Sequence, residues 1–89
     1  MSDSHWKLNA NYIIRTVTMT LTGKLVTVTD KELVLEDAAW IADTGRWADT
    51  IKVGTFNEVE PFPDGEQVIV GRAALIDAVR IPRLPRTQV

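Results

Sequence analysis

Hydrophobic and polar residues alternate along the first third of the chain with the period of a β-strand. Ile13, Val17, Met19 and Leu21 fall on one parity, and threonines 16, 18 and 20 fall on the other. A period of two in a segment rich in β-branched residues is typical of a strand with one buried face. The pattern predicts a first strand over residues 12–21.

Two further short runs continue this strand pattern. Thr22-Gly23 is predicted to form a tight turn, and apolar residues then alternate over 24–29 and 32–36, on either side of Asp30-Lys31. Three consecutive strands therefore form a predicted meander. The segment 37–42 contains alanines, a tryptophan and an isoleucine, and it either prolongs the third strand or begins a turn.

The pattern changes between Asp43 and Gly54. Trp47 and Ile51 are four residues apart, Asp43 or Thr44 is placed to cap a helix start, and Gly54 is placed to end it. These features predict a short helix.

The last third of the chain contains two more predicted strands, over 67–70 and 75–81. Pro82 and Pro85 follow them, and proline cannot donate to a β-ladder, so the remaining residues are expected to leave the sheet as an extended arm. The predicted organisation is an arm over 1–11, a β domain over 12–81 with an insertion over 40–65, and a proline- and arginine-containing tail over 82–89.

The 89 residues suffice for one small domain, and small domains often need a further source of stability. Cysteine is absent, which excludes disulfides and thiolate zinc sites. Self-association is the remaining source. No apolar run reaches the length of about 20 residues of a membrane span, and the first residues lack the apolar core of a signal peptide. We therefore expect a soluble, cytoplasmic protein without membrane contact.

Charge is distributed unevenly along the chain. Residues 1–29 carry a net charge of +2, residues 30–66 carry −7, and residues 67–89 carry +3. One interpretation is that these are solvated faces. The other is that the acidic middle meets the basic part of a neighbouring subunit, or that the tail arginines Arg80, Arg83 and Arg86 meet an anionic partner.

No catalytic constellation is evident. The single histidine, His5, lies in the arm, and nucleophilic catalysis by serine needs a positioned base. The five glycines are scattered rather than clustered as in phosphate-binding loops, and no metal-ligand spacing appears. We therefore expect a non-enzymatic protein with no cofactor and no metal.

Two segments have the layout of a known family. The run VTMTLTGKLVTVTDKELVLEDA, from Val17 to Ala38, places a leucine two residues after Gly23 and an acid at Asp30, and VIVGRAALIDAV, from 68 to 79, places Arg72 between two strands. Together they resemble the two signatures of the Sm and Sm-like family, which includes bacterial Hfq. The similarity covers roughly two thirds of the chain.

The resemblance implies a mainly β fold: a small, bent, five-stranded antiparallel Sm-like barrel with a short helix in the insertion between the third and fourth strands. In that family the fourth and fifth strands of adjacent subunits pair edge to edge and close a homo-oligomeric ring of about six or seven copies. Such pairing also removes the exposed strand edges of a small open sheet.

The resemblance also implies a candidate RNA site formed by Arg72, Asp30 and Glu32. Glu32 stands where RNA-binding members have an asparagine, and a carboxylate repels phosphate and cannot pair with a base as an amide does. Ala73 replaces the glycine beside the arginine. Arg72 is thus the one residue carried over as a nucleotide contact, and its alternative role is an intersubunit salt bridge to Asp30 or Glu32.

The insertion is rich in aromatic residues. Trp40, Trp47 and Phe62, together with Phe56, form either a small satellite core or a surface for a protein partner or for stacked bases. The sequence favours a non-enzymatic, ring-forming Sm-like binding or structural assembly module whose main partner is itself. The alternative is an RNA-binding Sm-like or Hfq-like ring.

Overall fold

The computed structural model describes residues 5–89, so residues 1–4 of the predicted arm lie outside the described part of the chain. The elements are β1 (Asn11–Thr16), β2 (Thr20–Val28), β3 (Glu32–Asp43), α1 (Trp47–Lys52), β4 (Glu58–Pro61), β5 (Gln67–Gly71), a 3-10 turn (Arg72–Ala74) and β6 (Leu75–Arg80). The short helix predicted between Asp43 and Gly54 is present as α1.

All strands are antiparallel and belong to one sheet, in the order β4-β3-β2-β1-β6, with β5 also paired to β3. The long strand β3 makes this possible, because its first half pairs with β5 and its second half with β4. The prediction of a mainly β, antiparallel fold is confirmed. The prediction of five strands in a barrel is wrong, because the insertion supplies the additional strand β4 and the sheet does not close.

The sheet curls around one main core. Its buried members are Tyr12, Ile14, Leu21, Leu25, Leu33, Leu35, Ala38 and Val70. Val68 of β5 packs against this cluster, and so do Leu75 and Ala78 of β6. Strands β5 and β6, which pair with different neighbours, thus contribute to one core, and the three-residue 3-10 turn joins them directly.

The first hairpin differs from its prediction. The predicted strand 12–21 is two strands, because the chain turns at residues 17–19. The Thr16 hydroxyl oxygen accepts hydrogen bonds from the amides of Thr18 and Met19, which stabilises a turn at this point. Val17 and Met19 are consequently exposed instead of buried.

The predicted turn at Thr22-Gly23 is likewise wrong, since both residues lie inside β2. The register of β2 against β3 shifts between Thr22 and Lys24. A Cβ on Gly23 would lie 2.8 Å from the Cβ of Leu35, so glycine here permits close packing of β2 on β3.

The opposite face of the sheet carries a second, smaller core. Ala39, Ile41 and Val59 are buried there, and Phe56 packs against them. The segment 37–42, for which two structures were open, prolongs β3, and this extension supplies two of the three residues. The insertion thus extends the sheet with its own strand β4 and contributes Val59 and Phe56 to this second core.

The segment before β1 packs against the sheet. The amide of Asn9 donates to the carbonyl of Leu25, and Trp6 stacks edge-on against Tyr12 with ring centroids 5.5 Å apart. Residues 5–10 of the predicted arm therefore lie on the domain. No helix within residues 5–89 is long and apolar enough to cross a membrane.

Candidate functional site

Two strands, β5 and β6, each leave one edge unpaired. Within residues 5–89, β5 pairs only with β3, and β6 pairs only with β1. Each strand also exposes a large aliphatic side chain, since Ile69 of β5 is 63% exposed and Ile76 of β6 is 65% exposed. A free strand edge with exposed apolar residues is a pairing surface for another chain.

Arg72 lies at the turn between these two strands and reaches the β2–β3 turn. Its amide donates to the Lys31 carbonyl at 2.8 Å, and its guanidinium donates to the Thr29 carbonyl at 2.6 Å. Glu32 is the register partner of Gly71, which directly precedes Arg72. The fold thus brings the predicted RNA-site residues Arg72, Asp30 and Glu32 to one end of the molecule.

The charges at this end are mixed. Asp30, Lys31 and Glu32 line a shallow depression of about 410 Å³ with Thr29. In the described part of the chain, Arg72 forms no ion pair with either acid. Its guanidinium instead donates a hydrogen bond to the backbone carbonyl of Thr29 in the same chain. Within residues 5–89, no group of three or more histidine, aspartate or glutamate side chains is placed to hold a metal ion.

The three predicted aromatic residues of the partner surface lie apart. Phe62 packs against the main core. Trp40 is 43% exposed and pairs across the strands with Leu21 and Glu60. Trp47 begins α1, and its ring lies 4.9 Å from the guanidinium carbon of Arg15. Phe56 joins the small second core, so the insertion is partly a satellite core and partly an exposed aromatic surface.

Trp47 also takes part in an interaction that sequence reasoning missed. Arg15 Nε donates to Asp77 Oδ1 at 2.9 Å, and a second guanidinium nitrogen pairs with Oδ2. This hydrogen bond to Arg15 lowers the pKa of Asp77 and raises the pKa of Arg15. A lowered carboxyl pKa contributes stability above the ordinary carboxyl value, which is lost as the pH falls through the lowered value. The Arg15–Asp77 pair is exposed, so it adds little stability. Its main effect is to join β1 to β6, and the contact of Arg15 with Trp47 joins these strands to α1.

The tail folds back onto the domain instead of projecting as an arm. The Arg86 guanidinium donates to the carbonyls of Ala38 at 2.7 Å and Phe62 at 3.0 Å, and it pairs with Asp64 at 2.7 Å. The side chain of Arg83 lies against Gly54. Of the three predicted tail arginines, Arg86 is therefore engaged within the chain, while Arg80 is exposed.

This docking bears on the uneven distribution of charge. The Arg86–Asp64 pair joins the basic last block of the chain to its acidic middle block. One interpretation of the charge distribution was that the acidic middle meets the basic part of a neighbouring subunit. The Arg86–Asp64 pair is a contact between an acidic and a basic block that forms within one chain.

We predict that Arg86→Ala lowers the free energy of unfolding by about 2 kcal/mol, because hydrogen bonds from a charged donor to the carbonyls of Ala38 and Phe62 are lost. The exposed ion pair to Asp64 adds little. Denaturant unfolding of the variant measures the change. As a control, Arg46→Ala removes an exposed arginine and should change stability by less than about 0.5 kcal/mol. Equal losses in the two variants would contradict the role of Arg86.

The exposed isoleucines of β5 and β6 were also missed. Ile69 and Ile76 stand in apolar runs that predict buried strands, and sequence alternation alone does not show which edge lacks a neighbour. Ile69 does differ in parity from Val68 and Val70, and a period of two places it on the opposite face of the strand; this alternation is the sequence signal for its exposure.

Comparison with known proteins adds no relative from which a role could be transferred. No protein-family model matches the chain, and no curated protein and no solved structure shows significant similarity to it.

Proposed function

We propose that this chain is a non-enzymatic, ring-forming Sm-like assembly module in which the β5 edge of one copy pairs with the β6 edge of the next. The observation that carries the proposal is the pair of unpaired edges, each with an exposed isoleucine, Ile69 on one and Ile76 on the other. Two different edges that pair head to tail generate a closed ring when the rotation between copies is suitable.

The energetics favour such pairing. Each free edge presents backbone N–H and C=O groups that a neighbouring strand satisfies, and burying an aliphatic side chain contributes about 1.5–3 kcal/mol. A domain of this size has a small core, so contacts between copies add a large share of its stability. The same contacts remove the aggregation risk of two open edges.

The connection between β5 and β6 supports the same arrangement. These strands follow one another through the 3-10 turn Arg72–Ala74, yet they pair with different strands and contribute to the same core. Their free edges therefore flank one opening of the curled sheet. This is the position at which the resemblance to Sm-like proteins implies contacts between subunits.

The intact mass of the native assembly tests the proposal directly. At micromolar concentration, native mass spectrometry of the full chain should give a closed assembly of about six or seven copies of the 9.9 kDa chain. A ring has one dominant stoichiometry, whereas open edge pairing gives a ladder of sizes. A compact monomer would overturn the proposal, and such a ladder would exclude the ring.

RNA binding is the second candidate function, and the clustering of Arg72, Asp30 and Glu32 at one end of the molecule is the observation that favours it. In a ring, this cluster would be repeated in every copy, so weak sites would act together. Against it, two carboxylates lie beside Arg72, and non-specific affinity grows with the number of phosphates that basic residues neutralise.

Arg72→Ala separates the two roles. If RNA binds there, the wild-type chain should bind oligo(U) at low salt, and the variant should lose at least about tenfold in affinity with a shallower salt dependence. Arg46→Ala removes the same charge elsewhere and should keep the wild-type affinity. If oligo(U) does not bind the wild type at all, the assembly role remains. An oligomer loosened by Arg72→Ala would instead place this arginine at the contact between copies.

A further inference from the structure

The tail and the insertion enclose a groove on the second face of the sheet. The groove has a volume of about 340 Å³. Gly54, Thr55, Phe56 and Val59 form one wall, and residues 83–87 and Val89 form the other. The first wall is a loop and a strand of the insertion, and the second wall is an extended, proline-containing segment.

The tail binds the edge of β4 as an added strand would. The amide of Val89 donates to the carbonyl of Val59 at 3.2 Å, and the amide of Val59 donates to the carbonyl of Val89 at 3.3 Å. This reciprocal pair is the hydrogen-bonding unit of an antiparallel ladder. Strand addition to a sheet edge is a general mode of peptide recognition.

A second anchor lies three residues before this pair. The guanidinium of Arg86 donates to two backbone carbonyls, from Ala38 in β3 and from Phe62 after β4. These acceptors belong to the domain and keep their positions whichever chain supplies the arginine. The recognition elements are therefore an arginine and an aliphatic residue three positions later, in an extended segment.

Charge supports a basic occupant. Glu58 and Glu60 of β4 are exposed beside this edge, and Asp64 already pairs with Arg86. The tail brings Arg83 and Arg86 to this acidic region. Complementary charge of this kind steers association and selects against acidic segments.

We propose that the β4 edge, together with the carbonyls of Ala38 and Phe62, forms a peptide-binding site for an extended, basic, proline-containing segment of another protein, a site that the chain's own residues 83–89 occupy in cis. The partner segment displaces the tail, inserts an arginine between the carbonyls of Ala38 and Phe62, and pairs with Val59 through its backbone. This site is independent of the ring contacts, which use β5 and β6.

The cis tail sets the affinity that a partner must overcome. A tethered ligand has an effective concentration on the order of millimolar, so it competes strongly with a free peptide. Weakening the tail should therefore increase the apparent affinity for a peptide that carries the same elements. This dependence distinguishes a specific site from general attraction of a basic peptide to an acidic surface.

The test uses the full-length Arg86→Ala protein and a labelled peptide of residues 81–89, IPRLPRTQV, followed by fluorescence anisotropy. We expect saturable binding to the variant and at least about tenfold weaker binding to the wild type. A control peptide with alanine in place of its Arg86 should bind the variant at least about tenfold more weakly than the wild-type peptide does. The unaltered peptide should also raise the melting temperature of the variant, because it resupplies the missing guanidinium.

Absence of saturable binding, or equal binding of both peptides to variant and wild type, would overturn the proposal. If Arg86→Ala does not fold, Val89→Pro is the second variant, since it removes the amide that pairs with Val59 and keeps Arg86. Oxidation of a Val59→Cys/Val89→Cys protein, in a chain with no other cysteine, tests the cis placement. A cross-link within one chain supports it, whereas a cross-link between copies would overturn it in favour of tail exchange.

Discussion

Replacing Ile69 or Ile76 by lysine should convert the assembly into monomers. In the proposed ring both side chains lie at the contact between β5 of one copy and β6 of the next, and both are largely exposed in the single chain. A lysine at this position would lose its hydration on pairing, and charged edge residues are a common device against edge pairing. Sedimentation velocity at micromolar concentration should show a shift from the closed oligomer to a single species near 9.9 kDa.

The matched control is Val53→Lys. Val53 is 51% exposed at the end of α1 and belongs to neither β5 nor β6, so this variant adds the same charge outside the two strands that the proposed contact uses. It should keep the oligomer, and all three variants should retain the circular dichroism spectrum of a folded β protein. An oligomer that persists in both isoleucine variants would show that copies associate through another surface.

Gly23→Ala should lower the free energy of unfolding by about 2–3 kcal/mol. The added Cβ would lie 2.8 Å from the Cβ of Leu35, a buried core residue of the adjacent strand. Neither atom is the flexible end of a side chain, so β2 and β3 must move apart, and overpacking of this kind costs about 1–3 kcal/mol. Chemical denaturation at one fixed protein concentration measures the loss.

Gly71→Ala is the control for this prediction. Gly71 has an ordinary φ of −70°, and no atom within 4 Å would meet its Cβ. The same chemical change should therefore alter stability by less than about 0.5 kcal/mol. If the two glycine variants were equally stable, the close approach of β2 to β3 would not be what requires glycine at position 23.

If both predictions hold, the chain combines a tightly packed central meander with open outer strands. The close packing at Gly23 lies between β2 and β3, whereas the proposed contacts between copies use β5 and β6. Substitutions in the first region should change folding, and substitutions in the second should change assembly. Since contacts between copies also add stability, the unfolding of every variant is compared at the same protein concentration.

Much of the candidate site near Arg72 could be anticipated from local sequence. The strand pattern predicted residues 24–28 of β2 together with β3, β5 and β6, and the turns at Asp30-Lys31 and at Arg72 are where the pattern is interrupted. Sequence did not show that the guanidinium of Arg72 binds the carbonyl of Thr29. That contact depends on how β5 lies against β3, which is a long-range pairing.

The first hairpin shows why local patterns were insufficient elsewhere. Threonine alternates with apolar residues from 16 to 22, so several positions have the same capacity for a threonine-stabilised turn. Gly23 is the stronger local turn signal. The structure instead turns after Thr16, because placing Gly23 within β2 lets that strand pack closely on Leu35.

The tail shows the same limit. Pro82 and Pro85 correctly indicated that the chain leaves the sheet, because proline lacks the amide that a ladder requires. They did not indicate where the tail binds. The acceptors of Arg86 are carbonyls of Ala38 and Phe62, which are far apart in sequence and meet only when β4 pairs with β3.

The sequence by itself determined the β class, the meander, the helix in the insertion and the absence of cysteine chemistry, because these follow from periodicity and composition within short segments. Only the tertiary structure decided the sixth strand, the open sheet, the position of the first turn and the docking of the tail. These depend on close approach between residues distant in the chain. Such contacts are determined by the packing of the whole domain, and no local pattern encodes them.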